Sequence, residues 1–325
     1  MAAPLLNITI PVFNRPRLTQ EAILSLHKLD RGVPFVVTVV DNGSEPALRA
    51  RLVEFREAGL IDNLFLLPRN MGISCACNIG WQAVDTPFYM KLDNDMKALR
   101  PDCLERLFRL WAYGKPLSTL GPSLGKESMT RNPGTIHTPE GDLAICLTNL
   151  PGRAIIIPKA VSEVLGRWNE DYGLYGADDG DYGARMVCAG FPQYYYDMTD
   201  TFRHDGAFSS EEYAGTRLDK AREYASLFDA KGGGVGLFVL NCYLFRMCIR
   251  SWNVPLRYRI RDVDGYNVIL EGNPEYAPVR EALRRSKRLV DELKAQRWEG
   301  DVYGNEFVQR LKDIWKACGQ ECRMP

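Results

Sequence analysis

The sequence has no pair of cysteines at the two-residue spacing of a zinc ribbon and only three histidines in 325 residues, which excludes a structural zinc centre of the common kinds. Its nine cysteines are odd in number and scattered from 75 to 322, and they read as reduced thiols. An excess of either charge is also missing. Forty-one basic residues balance forty-one acidic ones, so no global field draws the chain to nucleic acid, and no nucleic-acid partner is expected. The opening MAAPLLNITIPVFN carries no basic stretch followed by an apolar one and runs at once into a core-strand pattern; a cytoplasmic location is expected. A composition of 46% hydrophobic and 25% charged residues, with 28 Gly and 19 Pro, holds no sign of disorder or repeats.

Short apolar runs alternate with helical patterns along the first hundred residues: LNITIPVF, FVVTVVDNG, NLFLLPRN and PFYMKLDND are separated by periodic segments. This predicts βαβ units and a mostly parallel α/β sheet flanked by helices. Leu18, Ala22, Ile23, Leu26 and Leu29 recur at helical spacing, with Pro16 where a first turn tolerates it. A second helix is expected over 73–83, others over 101–113, 161–165 and 181–189, and short strands at best over 114–152. Asn14, Asp41, Asn70 and Asp93 each fall just after an expected strand, where ligands bind in open parallel sheets.

Asp93-Asn94-Asp95 ends the fourth strand. Two carboxylates there make a site for a hard cation, which can neutralise the charge that develops on a departing diphosphate. A second acidic cluster, Tyr175-Gly-Ala-Asp-Asp-Gly-Asp-Tyr-Gly-Ala-Arg185, places three carboxylates within four residues. Clustered carboxylates repel, so at least one should have a raised pKa, as suits a base in a cleft.

The ordered run ITIPVFNRP, VVDNGS, PRNMGISCACNIG and FYMKLDNDM, followed by this acidic element, resembles the family 2 glycosyltransferases of the GT-A fold over about residues 5–215. The resemblance implies a catalytic domain over 1–215, with a nucleotide-sugar half (1–100) and an acceptor half (101–215), and a mostly helical extension over 216–325. Pro11, Val12, Phe13 and Asn14 would line the nucleotide pocket. Asp41 would accept from the base, which favours a UDP-sugar donor, and Asn70 and Gly72 would border the pocket. Asp93 and Asn94 would lie near the ribose or metal, and Asp95, with Asp93 and His204, would hold Mn²⁺ or Mg²⁺. Asp179, or its neighbour Asp178, would be the base that deprotonates the acceptor hydroxyl in an inverting displacement. Asp181 and Arg185 would orient the loop or pair with each other.

Beyond 215, an apolar stretch with a run of arginines over 235–261 fits either an amphipathic helix on the inner face of an anionic membrane or a helix packed on the catalytic domain. The charged tail from about 279 is a candidate for homo-oligomer contact. A carbohydrate, glycolipid or protein acceptor is compatible with everything above. Two other classes compete: a nucleotide-sugar-binding protein without turnover, and a nucleotidyltransferase. The latter lacks its Gly-rich basic loop here, since IPVFNRPRL supplies only Arg15 and Arg17.

Overall fold

The computed structural model describes residues 3–30, 32–123, 134–206, 233–295 and 305–320. Its first part follows the alternation in the sequence: β1 (Leu6–Val12), α1 (Pro16–His27), β2 (Phe35–Asp41), α2 (Pro46–Glu57), β3 (Asn63–Leu66), α3 (Ile73–Ala83) and β4 (Phe88–Leu92). β1 is buried at every position because helices cover both faces of a central parallel strand. α1 turns Leu18, Ala22, Ile23 and Leu26 to the core. The strands lie in the order β3-β2-β1-β4, all parallel. The chain therefore leaves β1 on one side, returns, and continues on the other. The carboxyl ends of β1 and β4 flank the resulting crevice, where such sheets bind ligands.

The second part is β5 (Met96–Ala98), α4 (Cys103–Tyr113), β6 (Thr119–Pro122), β7 (Thr135–Thr138), β8 (Gly141–Ile145), β9 (Ala154–Pro158), α5 (Lys159–Leu165), α6 (Asp178–Ala189), β10 (Gln193–Tyr196) and β11 (Phe202–His204). Here the expectation of a mostly parallel sheet needs correction. β9 runs antiparallel between β4 and β6, and β8 runs antiparallel to both β10 and β7, so the sheet is mixed. Apolar runs report that a strand is buried but not which way it points.

The extension is α7 (Gly233–Arg246), β12 (Tyr258–Asp264), β13 (Asn267–Gly272), α8 (Tyr276–Ala295) and α9 (Asn305–Ala317). Besides helices it thus contains a hairpin, closed at Gly265 (φ 58°), and β13 extends the main sheet beside β3. The segment 235–261 is not one amphipathic helix: α7 stops at Arg246 and the chain re-enters as a strand at Tyr258. Leu237, Leu240, Leu244 and Ile249 are buried with Leu283, Phe307, Leu311 and Trp315, as the packed reading expects. No helix among the described residues is long and apolar enough to cross a membrane.

A buried polar network fastens this extension to the acidic loop. Asp171, on a short 3-10 turn over Glu170–Tyr172, accepts from Arg250 Nη1 (2.5 Å), Asn241 Nδ2 (3.1 Å) and Tyr276 Oη (2.8 Å). Burial would raise its pKa, but the Arg250 charge and these donors hold it below the usual carboxylate range.

Candidate active site

The crevice between β1 and β4 is lined by Pro11, Val12, Phe13, Arg15, Asn42, Asn70, Ile73, Asp93, Asn94, Asp95, Leu174 and Tyr175. Seven of these were expected from the sequence: Pro11, Val12, Phe13, Asn70, Asp93, Asn94 and Asp95. At the end of β1 the backbone makes a turn that non-glycine residues rarely adopt, with φ 56° at Asn14 and 59° at Arg15. Two such residues cost on the order of 1–3 kcal/mol each. Asn14 compensates as a fastener rather than a pocket wall: its amide donates to Ser44 Oγ (2.8 Å), and its side-chain oxygen accepts from Glu45 N (3.0 Å). The turn sends the Arg15 side chain inward, where Nη1 lies 2.6 Å from Asp95 Oδ2.

Asp95 is 3% exposed. His204 Nε2 lies 3.3 Å from its Oδ2 because β11 pairs with β5 and sets His204 opposite Met96. Gly206 packs so closely that an added Cβ would overlap Asp95 Oδ2. Burial pushes the Asp95 carboxyl up, but His204 and Arg15 outweigh it and hold the group below its ordinary value. Its other oxygen, Oδ1, is buried with no hydrogen-bond partner among the described residues.

That orphaned oxygen and the adjacent imidazole fit a divalent cation with mixed O/N ligation. No group of three His, Cys, Asp or Glu side chains that could hold a metal occurs among the described residues. Asp93, expected to join them, is instead turned to Lys91, whose Nζ donates to Asp93 Oδ1 (2.9 Å) and to the Gly152 carbonyl (2.7 Å). Burial pulls the Lys91 ammonium down, yet the carboxylates of Asp93 and Asp178 more than offset this and its pKa rises. Asn94 donates to Thr19 Oγ1 (2.9 Å), tying the β4 turn to α1.

Asp41 is fully buried. Both its oxygens take the Ser44 amide at 3.3 Å, and Arg49 Nε stands 3.6 Å from Oδ2, so the carboxylate builds the turn after β2. Its neighbour Asn42 lines the crevice and locks the facing loop, accepting from Met71 N (2.7 Å) and donating to Asn70 Oδ1 (2.9 Å). Gly72 has φ 98°, and a Cβ there would lie 2.2 Å from the Gly173 carbonyl oxygen. The close approach it permits is to that backbone rather than to a ligand. Gly72→Ala is expected to destabilise the protein by about 1–3 kcal/mol and to weaken donor binding with it, because Ile73 N bonds Leu174 O (3.1 Å) in the crevice wall. Thermal melts with and without nucleotide check this, and an unchanged Tm would refute it.

α6 begins at Asp178, three residues before the start expected from the sequence, so Asp178, Asp179 and Asp181 sit in its first turn, where the helix dipole favours negative charge. Asp181 and Arg185 do pair (2.7 Å), both at zero exposure, and Arg185 also donates to the Leu165 and Arg167 carbonyls. Asp178 is buried with Oδ2 3.9 Å from Lys91 Nζ. Burial, with the charges of Asp179 and Asp93 adding to it, pushes its pKa up to about 6 against the opposing pull of Lys91. Asp179 is half-buried, and its Oδ1 accepts from Gly180 N (2.8 Å).

Arg15, Asn42, Lys91, Leu174 and Tyr175 were not singled out by sequence reasoning. Lys91 alone left a usable trace: a charge inside the otherwise apolar run FYMKL can stay in a strand core only if paired.

Residues 7–149 match the sequence model described as Glycosyl transferase family 2. Among curated proteins no sequence matches the chain. Among solved structures, the mannosyltransferase PcManGT from Pyrobaculum calidifontis, in complex with GDP-Man and Mn²⁺, is 13% identical, with a TM-score of 0.52 over 98% of this chain and 86% of its own. S. aureus TarS is 15% identical, with a TM-score of 0.47 over 74% of this chain and 43% of its own. The matched segment, less than half of the chain, contains β1 to β4, the strained turn and the Asp93-Asn94-Asp95 site; over that segment the chain is similar to the family 2 glycosyltransferases, and the whole shares the fold of PcManGT.

Proposed function

We propose that the protein transfers a hexose from a nucleoside-diphosphate sugar to an acceptor hydroxyl with inversion, using Mn²⁺ or Mg²⁺ held by Asp95 and His204. The observation that carries this reading is the convergence of Arg15, Asp95 and His204 at the β1/β4 crevice, with one buried Asp95 oxygen left without a hydrogen-bond partner among the described residues. A preference for uracil rested on Asp41, whose carboxylate is sealed inside its own turn, so no base is singled out. PcManGT, which shares the fold, was captured with GDP-Man and Mn²⁺.

When bound, the cation supplies charge to balance the departing diphosphate. Arg15 adds a guanidinium whose planar fork suits phosphate oxygens. Asp179 is the base. It is half-buried, makes no ion pair to a described residue, and keeps its Oδ2 outside the Gly180 contact. The acceptor oxygen bonds to the anomeric carbon as the anomeric C–O bond to phosphate breaks, and the hydroxyl proton passes to Asp179. Asp178, deeper and beside Lys91, sets the field in which Asp179 works.

A thermal-shift screen of UDP-, GDP- and dTDP-sugars with and without Mn²⁺ tests the reading. One nucleotide class at about 100 times its Kd should stabilise the wild type by roughly 2.7 kcal/mol in the presence of metal. Asp95→Asn, which keeps the side-chain shape and removes the charge, should lose that gain. No stabilisation by any nucleotide with any metal would reject the donor site, and binding without turnover on any acceptor would favour the non-catalytic reading.

A further inference from the structure

We propose that the cleft between the β12–β13 hairpin and α8 is an anion site that takes the phosphate group of a phosphate ester. The cleft has a volume of about 400 Å³ and is lined by Arg257, Tyr258, Asn273, Tyr276, Arg280, Glu281 and Arg284, together with Gly272 and Ala277. Three guanidiniums thus face one carboxylate. Arg280 and Arg284 are one helical turn apart, so their charges share a face of α8, where an anion between them would relieve a small like-charge repulsion. Neither makes a hydrogen bond or ion pair to a described residue. Arg257 enters from the opposite wall, with its guanidinium over the Tyr258 ring at 5.2 Å.

The polar groups of the floor are already engaged elsewhere. The Tyr276 hydroxyl donates to Asp171 Oδ1 (2.8 Å), and Asn273 Nδ2 donates to the Leu256 carbonyl (2.7 Å). Arg259, on the same hairpin, is drawn off to Glu275 at 2.8 Å. What remains for a ligand is the Arg280 and Arg284 pair, whose fork-shaped donors match phosphate oxygens in geometry and charge. The run of arginines in the sequence is thereby divided: Arg250 pairs with Asp171 and Arg259 with Glu275, while Arg257 lines the cleft beside Glu170.

The floor also joins the acidic loop. Arg257 N donates to Glu170 Oε2 (2.8 Å), and Glu170 stands eight residues before Asp178. A phosphate held here would therefore belong to the acceptor side rather than to the donor. That assignment rests on the proposed transferase activity; the anion site does not.

Titration calorimetry with sn-glycerol 3-phosphate tests it, on the wild type and on the double variant Arg280→Gln/Arg284→Gln. The wild type should bind, more weakly as salt rises, and the variant at least roughly tenfold less tightly, with its Tm and nucleotide-sugar binding unchanged. A parallel arm measures sedimentation with phosphatidylcholine vesicles containing phosphatidic acid. If the variant loses vesicle binding too, the phosphate is a lipid headgroup; if only the soluble ester responds, it is a soluble acceptor. Absence of binding by the wild type in both arms, or equal binding by the variant, overturns the proposal. If nucleotide sugars fail to bind while the phosphate difference persists, the transferase reading falls and the anion site stands.

Discussion

Asp179→Asn is expected to lower kcat by roughly 10²–10⁴-fold while leaving donor affinity and Tm unchanged. Asparagine has the same shape and still presents an oxygen to Gly180 N, so the first turn of α6 should persist. What disappears is the carboxylate proposed to take the acceptor proton. Asp178→Asn separates the two candidate acids. Asp178 is buried, lies 3.9 Å from Lys91, and has a pKa pushed up to about 6 by burial. Its replacement should perturb the field and cost less in kcat than loss of Asp179. Steady-state kinetics with saturating donor decide this, and a larger loss in the Asp178 variant would move the base to that residue.

The second large effect concerns stability. Arg250→Ala is expected to destabilise the protein by about 3–5 kcal/mol, lowering Tm by on the order of 10 °C. Arg250 is 2% exposed and Asp171 is 2% exposed, so truncation would strand a carboxylate that water cannot reach. Tyr276 and Asn241 would remain as donors, but neither carries charge. The guanidinium itself is incompletely served, because its Nε and Nη2 have no hydrogen-bond partner among the described residues. The pair is therefore more a specifier of how the extension seats than a net source of stability, and Arg250→Met with Asp171→Asn should recover much of the loss. Chemical denaturation of the three variants measures this, and a cost below about 1 kcal/mol for Arg250→Ala would show that solvent reaches Asp171.

The β1–β4 alternation was legible because buried parallel strands are near-continuous apolar runs and their intervening helices keep a 3.6-residue period. Asp93, Asn94 and Asp95 were legible because three polar residues end such a run. Strand direction beyond β4 was not, since Ala154–Pro158 reads the same in either sense. The β12–β13 hairpin escaped notice because YRIRDVD is rich in charge, and arginines there suggested a surface helix. Arg15 was overlooked for a different reason. Its role follows from a positive φ at a non-glycine residue, which no composition or period announces. Asp41 illustrates the opposite failure: the residue type suited a base contact, but the turn chemistry of Asp41-Asn42-Gly43-Ser44 claimed the carboxylate first.

The hairpin of the extension has a bearing on solubility. β3, with the sequence NLFL, would be an apolar outer strand if the sheet stopped there, and its free amides and carbonyls would offer a template to another chain. Instead Leu66 N donates to the Tyr266 carbonyl (2.7 Å), and the rim passes outward to β12. That strand exposes Arg261, Asp262 and Asp264 and is bulged between Ile260 and Asp262. Charge and a broken register are what discourage strand addition. A fragment ending at residue 215 would keep every proposed catalytic group and lose this protection, so its tendency would be to pair edge to edge with its own copies.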